Sequence, residues 1–310
     1  MKINQSLNAK ALRGFKWTSL STFFQTSIQF LNLWVMTNFL SPSDFGLMGM
    51  IMVVVGFANQ FADMGVSNAI IHRQEITNNQ LSSLYWLNIF AGIVVFLLIN
   101  ISIFAIVEFY NEPRLTNLLF ITSFIFLIAP IAQQYQILLQ KNLSFNILSI
   151  IDIIGVVVNS GTTIWMAVNG FGVYSFVYGQ LANTTIKVFI LCNFCWRQWR
   201  PCFHFSKKDL AGFLKFGLFQ MGERSVNYLS ANLDYILIGR YLGSTELGYY
   251  TLAYQIIIFP LTKLNPIFTK VMFPVFSIVQ NNNHSIRSGY CKIIKYVSLV
   301  TFLLMAGILM

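Results

Sequence analysis

The sequence predicts an all-α polytopic membrane protein, and three observations carry that reading. Of its 310 residues, 56% are hydrophobic and only 10% charged, against roughly 25% charged in ordinary soluble domains. The uncharged runs are long: residues 17–43, 76–107 and 115–140 contain no Asp, Glu, Lys or Arg. A helix needs about 20 apolar residues to cross a bilayer core, and each run supplies them. The connections between such runs are short, and none holds a soluble domain. One soluble core cannot absorb this much continuous apolar sequence, which excludes a soluble enzyme.

Nine spans are expected, at about 17–40, 45–70, 82–107, 115–138, 145–168, 172–196, 213–239, 247–272 and 291–310. The first follows a basic N-terminus (Lys2, Lys10, Arg13, Lys16). Its apolar stretch is too long for a signal peptide and lacks a clear cleavage site, so it reads as an uncleaved helix. Ser41-Pro42-Ser43 turns the chain into the second span. The third and fourth coincide with the two later uncharged runs. Asn169-Gly170 separates the fifth from the sixth, and Gly243-Ser244 the seventh from the eighth. The longest connection, Arg197 to Gly212, is expected to form a short amphipathic helix on the membrane surface.

The net charge is +10. In so apolar a chain this excess points to cytoplasmic loops, and no nucleic-acid partner is expected. With the N-terminus inside, 14 of the 20 Lys and Arg residues fall in inner loops and only Arg114 and Arg240 in outer ones. That bias predicts a cytoplasmic N-terminus. Cys192 and Cys195 form a CxxC without a second pair; with Cys202 and Cys291 they read as small apolar residues, not a redox or metal centre.

Residues 38–47 align with 240–249 at an offset of 202, with Leu40/Leu242 and Gly46/Gly248 identical and Asp44/Glu246 conservative. The copies join equivalent spans, one to two and seven to eight. An even number of helices separates them, so the repeats run parallel through the membrane, which predicts an axis along the membrane normal with a site between the halves. The expected organisation is a six-helix N-terminal lobe over 1–200 and the first three helices of a second lobe over 201–310. By the same offset a complete second lobe needs roughly 90 further residues, so a fragment of a longer chain is expected.

Two spans carry polar stripes. In span one, Thr18, Thr22, Gln25, Gln29 and Asn32 are spaced four and three apart and share a helix face. In span seven, Glu223, Asn227, Ser230 and Asp234 do the same, and the offset maps Gln25 to Asn227 and Asn32 to Asp234. Polar groups facing lipid are costly, so the stripes face protein or water. Interhelical bonding, worth about 0.6 kcal/mol per contact, explains uncharged stripes; two carboxylates on one stripe favour a water-filled cavity. The charges within spans are Asp63, Asp152, Lys187, Glu223, Arg224, Asp234, Lys263 and Lys270. Arg224 lies roughly 12 Å into span seven at 1.5 Å per residue, too deep to snorkel easily. Lys187 is similarly deep. Lys263 sits between Pro260 and Pro266, where a broken helix exposes backbone groups. Lys270 is nearer the inner end and reads as snorkelling. Asp63 and Asp152 are either structural partners of these cations or protonatable coupling groups. A lumen with several cations suits an anionic substrate, because Arg and Lys bind phosphate well.

Enzyme readings lack parts. His72, His204 and His284 all lie in loops, there is no Walker motif, and no cofactor is expected. A channel would need a re-entrant filter sequence that is not evident.

The chain resembles a known family through several motifs. Asn232-Leu-Asp234-Tyr-Ile-Leu-Ile-Gly239-Arg240-Tyr-Leu-Gly243, followed by Leu247-Gly248-Tyr-Tyr-Thr-Leu-Ala253-Tyr, resembles the seventh-to-eighth helix signature of the polysaccharide transporter family. Gly14-Phe-Lys-Trp17, the turn from Leu40 to Gly46, and Gln140-Lys-Asn-Leu-Ser-Phe145 resemble the same family, nearest its colanic and teichuronic acid exporters. That family belongs to the multidrug/oligosaccharidyl-lipid/polysaccharide exporter superfamily. The resemblance implies two six-helix lobes facing a central cavity, alternating access, and translocation of an undecaprenyl-diphosphate-linked oligosaccharide across a bacterial inner membrane. It implies membrane lipids and the polysaccharide polymerase and chain-length machinery as partners. Family members have twelve to fourteen helices, and this chain departs by ending after nine. On both lines, Arg224, Lys187 and Lys263 are expected to hold diphosphate and sugar acids. Glu223, Asp234, Gln25, Asn32 and Asn227 line the glycan path, and Asp63 or Asp152 couples an ion. Two alternatives stand beside this: a drug/cation antiporter of the same superfamily, favoured by carboxylates without cations, and a non-transporting scaffold of a polysaccharide assembly complex.

Overall fold

In hydrocarbon a backbone must satisfy its own polar groups, and a helix does so within one segment. A computed structural model describes residues 2–62, 76–142, 144–196, 199–206 and 213–257, with single positions at 70, 210 and between 287 and 302. No strand occurs among these residues. The helices are α1 (Lys2–Met36), α2 (Pro42–Ala62), α3 (Asn78–Tyr110), α4 (Leu115–Ser123), α5 (Ile125–Lys141), α6 (Phe145–Val168), α7 (Tyr174–Cys195), α8 (Phe213–Ala231) and α9 (Leu233–Tyr241). A further helix, α10, covers 243–257. Four segments, Pro42–Ala62, Asn78–Tyr110, Leu115–Lys141 and Phe145–Val168, are long and apolar enough to cross a membrane. Within α3 only 28% of the most apolar window is buried, and Phe90, Leu97, Ile101 and Phe104 project outward. Water does not tolerate so large an apolar face, whereas lipid solvates it.

The described helices match the expected spans with three differences. α1 runs back to Lys2, because nothing in the basic N-terminal stretch breaks a helix. Span four is two helices, α4 and α5, with a break at Phe124. Span seven breaks at Asn232 into α8 and α9. Most of spans eight and nine lies outside the described residues, as do Asp63, Lys263 and Lys270.

Pro130 explains how α5 sits on α3. A proline has no N–H, so the Phe126 carbonyl one turn earlier loses its helical donor. That carbonyl leans onto Gly92 of α3, where a Cβ would stand 2.3 Å from the oxygen and 2.6 Å from the Pro130 ring. Only glycine admits this approach. At the start of α3, Thr77 and Gln80 form a reciprocal capping box, which satisfies two N–H groups the helix cannot pair. The connection expected to be an amphipathic helix is not helical over 199–206. It is strapped to α3 instead. Ser82 Oγ accepts from the Cys202 N–H (3.1 Å) and Ser83 Oγ from the Ser206 N–H (3.2 Å), while Trp86 Nε1 donates to the Cys202 carbonyl (2.9 Å).

α2 and α10 cross at two glycines. A Cβ on Gly46 would lie 1.7 Å from the Ser244 carbonyl oxygen, and one on Gly248 would lie 1.7 Å from the Pro42 carbonyl oxygen. Under the 202-residue offset Ser244 is the counterpart of Pro42, so the contact is reciprocal. Beside it, Ser43 Oγ and Ser244 Oγ are 3.0 Å apart. Arg114 Nη2 donates to both (2.8 and 3.2 Å) and pairs with Glu112 at 2.9 Å. The Glu112 carboxyl is held below its ordinary value by the Arg114 hydrogen bond, against the opposing effect of burial. Arg240 lies at the same end, donating to the Phe109 carbonyl and sitting over its ring.

Candidate substrate cavity

Chemistry-bearing residues converge where α2, α5, α7 and α8 leave a hollow of about 490 Å³. That volume falls within the roughly 300–1,000 Å³ usual for small-molecule sites. α7 supplies Asn183, Thr184 and Lys187, α8 supplies Arg224, α2 supplies Asn59, and α5 supplies Gln133, Gln136 and Gln140. No Asp or Glu is among the described lining residues. Apolar groups, including Phe126, Pro130, Val188 and Leu191, form the rest of the wall.

Lys187 is held from outside the cavity by α6. Its Nζ bonds Asp152 Oδ1 at 2.7 Å, with the two side chains 30% and 39% exposed. So open a pair contributes little stability, about 0–1 kcal/mol, and its effect is orientation. Three residues on, Gly155 makes room for this arrangement. A Cβ there would lie 2.4 Å from Lys187 Cε and 2.3 Å from Asn183 Oδ1. The α6–α7 interface thus seats both side chains on a glycine. Arg224 enters from α8, which reaches α2 through Tyr228. That phenol passes over Gly56 and donates to the Met52 carbonyl (3.0 Å).

The expected site residues separate into groups. Lys187 and Arg224 line one cavity, and Asp152 is the ion-pair partner of Lys187. Glu223 and Asn227 are exposed on α8 beside Arg224 and are not among the lining residues. Asp234 belongs elsewhere: the break at Asn232 resets the helical phase, and its carboxylate accepts from the Tyr250 hydroxyl. Gln25 is half-buried on α1, where its amide donates to Ser21 Oγ at 2.7 Å, and Ser21 donates on to the Ser149 carbonyl of α6. Asn32 is half-buried on the same helix, its Oδ1 without a partner. Neither lines this cavity. The glutamines of α5 are absent from the sequence-based expectations, although amides spaced three and four apart in an apolar helix are a legible signal.

A second, apolar hollow of about 200 Å³ lies between α2, α4 and α7, lined by Met48, Ile51, Val55, Val173 and Phe176 among others. Asn59 borders both.

Comparison with known proteins places this geometry. The family model described as polysaccharide biosynthesis protein matches residues 35–310. The teichuronic acid biosynthesis protein TuaB of Bacillus subtilis is 40% identical over 98% of this chain and 63% of its own length. The lipopolysaccharide biosynthesis protein WzxC of Escherichia coli is 31% identical over 98% of this chain and 62% of its own. The chain therefore spans a little over three-fifths of these relatives' length. A crystal structure of a MATE mutant shares the fold, with a TM-score of 0.53 at 14% identity, covering 96% of this chain and 72% of that one.

Proposed function

Because this chain belongs to the polysaccharide biosynthesis protein family, we propose that it exports lipid-linked oligosaccharide units for surface polysaccharide assembly. The observation that carries this reading is the cavity between α2, α5, α7 and α8, which presents Lys187 and Arg224 and, among the described residues, no carboxylate. Two cations set among amides suit a diphosphate attached to a glycan. The undecaprenyl tail stays in the bilayer while the head group enters the cavity. In the orientation that the loop charges favour, the Gly46–Gly248 crossing faces outward and closes that side, and separation of α2 from α10 opens it. Lys263 helps hold the diphosphate and sugar acids, and Asp63 or Asp152 couples the cycle to a proton or sodium gradient. Glu223, Asn227, Asp234, Gln25 and Asn32 contribute to the glycan path in other states of the cycle. The membrane is the bacterial inner membrane, and the polymerase and chain-length machinery act next on the product.

The test is translocation of a fluorescent lipid-diphosphate-linked oligosaccharide in proteoliposomes. Arg224→Glu is expected to lower the rate at least tenfold with membrane insertion intact, as reversal of a half-buried phosphate-binding charge should. An active Arg224→Glu protein would overturn the cavity assignment. A drug/cation antiporter is disfavoured by the two cations, Lys187 and Arg224, that line the cavity. A scaffold that moves nothing is the reading left if no variant, wild type included, translocates the probe.

A further inference from the structure

Three glutamines on α5 face the cavity, and a fourth shows what they would do in a purely structural role. Gln134 is fully buried and donates to the Leu81 carbonyl of α3 at 3.2 Å. Gln133, Gln136 and Gln140 lie on the other side of the helix, within about 60° of one another at 100° per residue. They line the cavity, Gln136 exposed and Gln140 half-buried. Among the described residues, neither the Gln136 nor the Gln140 side chain makes a hydrogen bond to the protein. Amides in a membrane-spanning helix are costly toward lipid, so their place is against water or a polar ligand. Across the hollow, Asn183 carries a buried Oδ1 with no partner, beside Thr184.

We infer that the α5 glutamine face, with Asn183 and Thr184, is a sugar subsite that reads the residues adjoining the diphosphate. This rests on the export reading above and goes further by naming the class: neutral hexoses or N-acetylhexosamines. Each glutamine both donates and accepts, which matches a hydroxyl or an acetamido group. Among the described lining residues no carboxylate offers an acceptor-only group to bind an amino sugar's ammonium. The anion belongs to Lys187 and Arg224, and the uncharged part of the head group to the amides. α5 therefore sets sugar selectivity, while α7 and α8 set phosphate affinity.

Binding to the purified chain in nanodiscs separates these roles. Two probes are used, farnesyl diphosphate and farnesyl diphosphate carrying one N-acetylglucosamine, with affinity read by calorimetry. The Gln136→Ala/Gln140→Ala protein is expected to lose about tenfold in affinity for the glycosylated probe and less than twofold for the bare diphosphate. Gln136→Asn, which keeps an amide, should recover part of that loss, and an unchanged thermal midpoint marks the fold as intact. An equal loss for both probes, or none for the glycosylated one, overturns the subsite and leaves the diphosphate assignment standing. A wild-type chain that binds neither probe overturns the export reading itself, and the subsite with it.

Discussion

Gly155 and Gly161 sit less than two turns apart on α6 and do opposite things. A methyl at 155 would collide with Lys187 Cε and Asn183 Oδ1, whereas one at 161 meets nothing within 4 Å. Gly155→Ala is expected to displace the Lys187 ammonium from its place beside Asp152 and to weaken binding of farnesyl diphosphate about tenfold. Gly161→Ala should leave binding unchanged and raise stability by up to about 1 kcal/mol, since alanine suits a helix better than glycine. Calorimetric affinity and the thermal midpoint of the two proteins decide this. Lys187 was recognisable from sequence as a cation deep in an apolar span. Asp152 was recognisable only as a partner for one of the deep cations or a coupling group; that it pairs with Lys187, 35 residues away, is decided by the packing of α6 on α7. The same holds for Asp234, whose place on a polar stripe assumed an unbroken helix through Asn232.

At the scale of single elements, the strap over 199–206 and the turn after α3 are the segments that side chains hold. Ser82 and Ser83 are completely buried and each accepts a backbone N–H of the strap. Ser83→Ala leaves the Ser206 N–H without its acceptor, a loss of about 1–3 kcal/mol if that group stays buried. Release of the strap should then show as faster proteolysis between 199 and 206, with α3 itself protected. An amphipathic surface helix was expected here from composition alone. Composition does not reveal that two serines one turn into α3 offer this backbone an alternative to helical bonding. In the turn after α3, the lowered Glu112 carboxyl makes the Arg114 clamp sensitive to acid. Its contribution is complete above the ordinary value of 4.5 and fades as pH falls through the lowered one. The difference in thermal midpoint between wild type and Glu112→Gln should stay constant from pH 7 to about 5 and shrink below it.

Across the whole molecule, the crossing of α2 and α10 joins segments about two hundred residues apart. Gly46→Ala and Gly248→Ala each drive a methyl into a backbone carbonyl that no rotamer change can move aside. Both are expected to cost about 3 kcal/mol, and to cost it nearly equally because the contact is reciprocal. Unequal losses in thermal unfolding would mean that the two glycines are not in equivalent surroundings. Ser43→Cys/Ser244→Cys, with the four native cysteines replaced by serine, should oxidise readily at a site whose Oγ atoms are 3.0 Å apart. In the export reading, that disulfide arrests translocation and a reductant restores it.

Helical class and the positions of the turns among the described residues follow from the sequence alone, since the bilayer imposes one backbone solution on every apolar run. The 202-residue offset was also legible, as Leu40 and Gly46 returning at Leu242 and Gly248. Only the tertiary structure decided what those glycines do, which cations share a cavity, and that α5 rather than α1 supplies its amides. Spacing along a helix reports that a face is polar, but not what the face meets. Gln25, on α1, meets Ser21 and the backbone of α6, and Gln136, on α5, meets an open hollow. That difference lies in how whole helices pack, and packing is fixed by contacts between residues far apart in the chain.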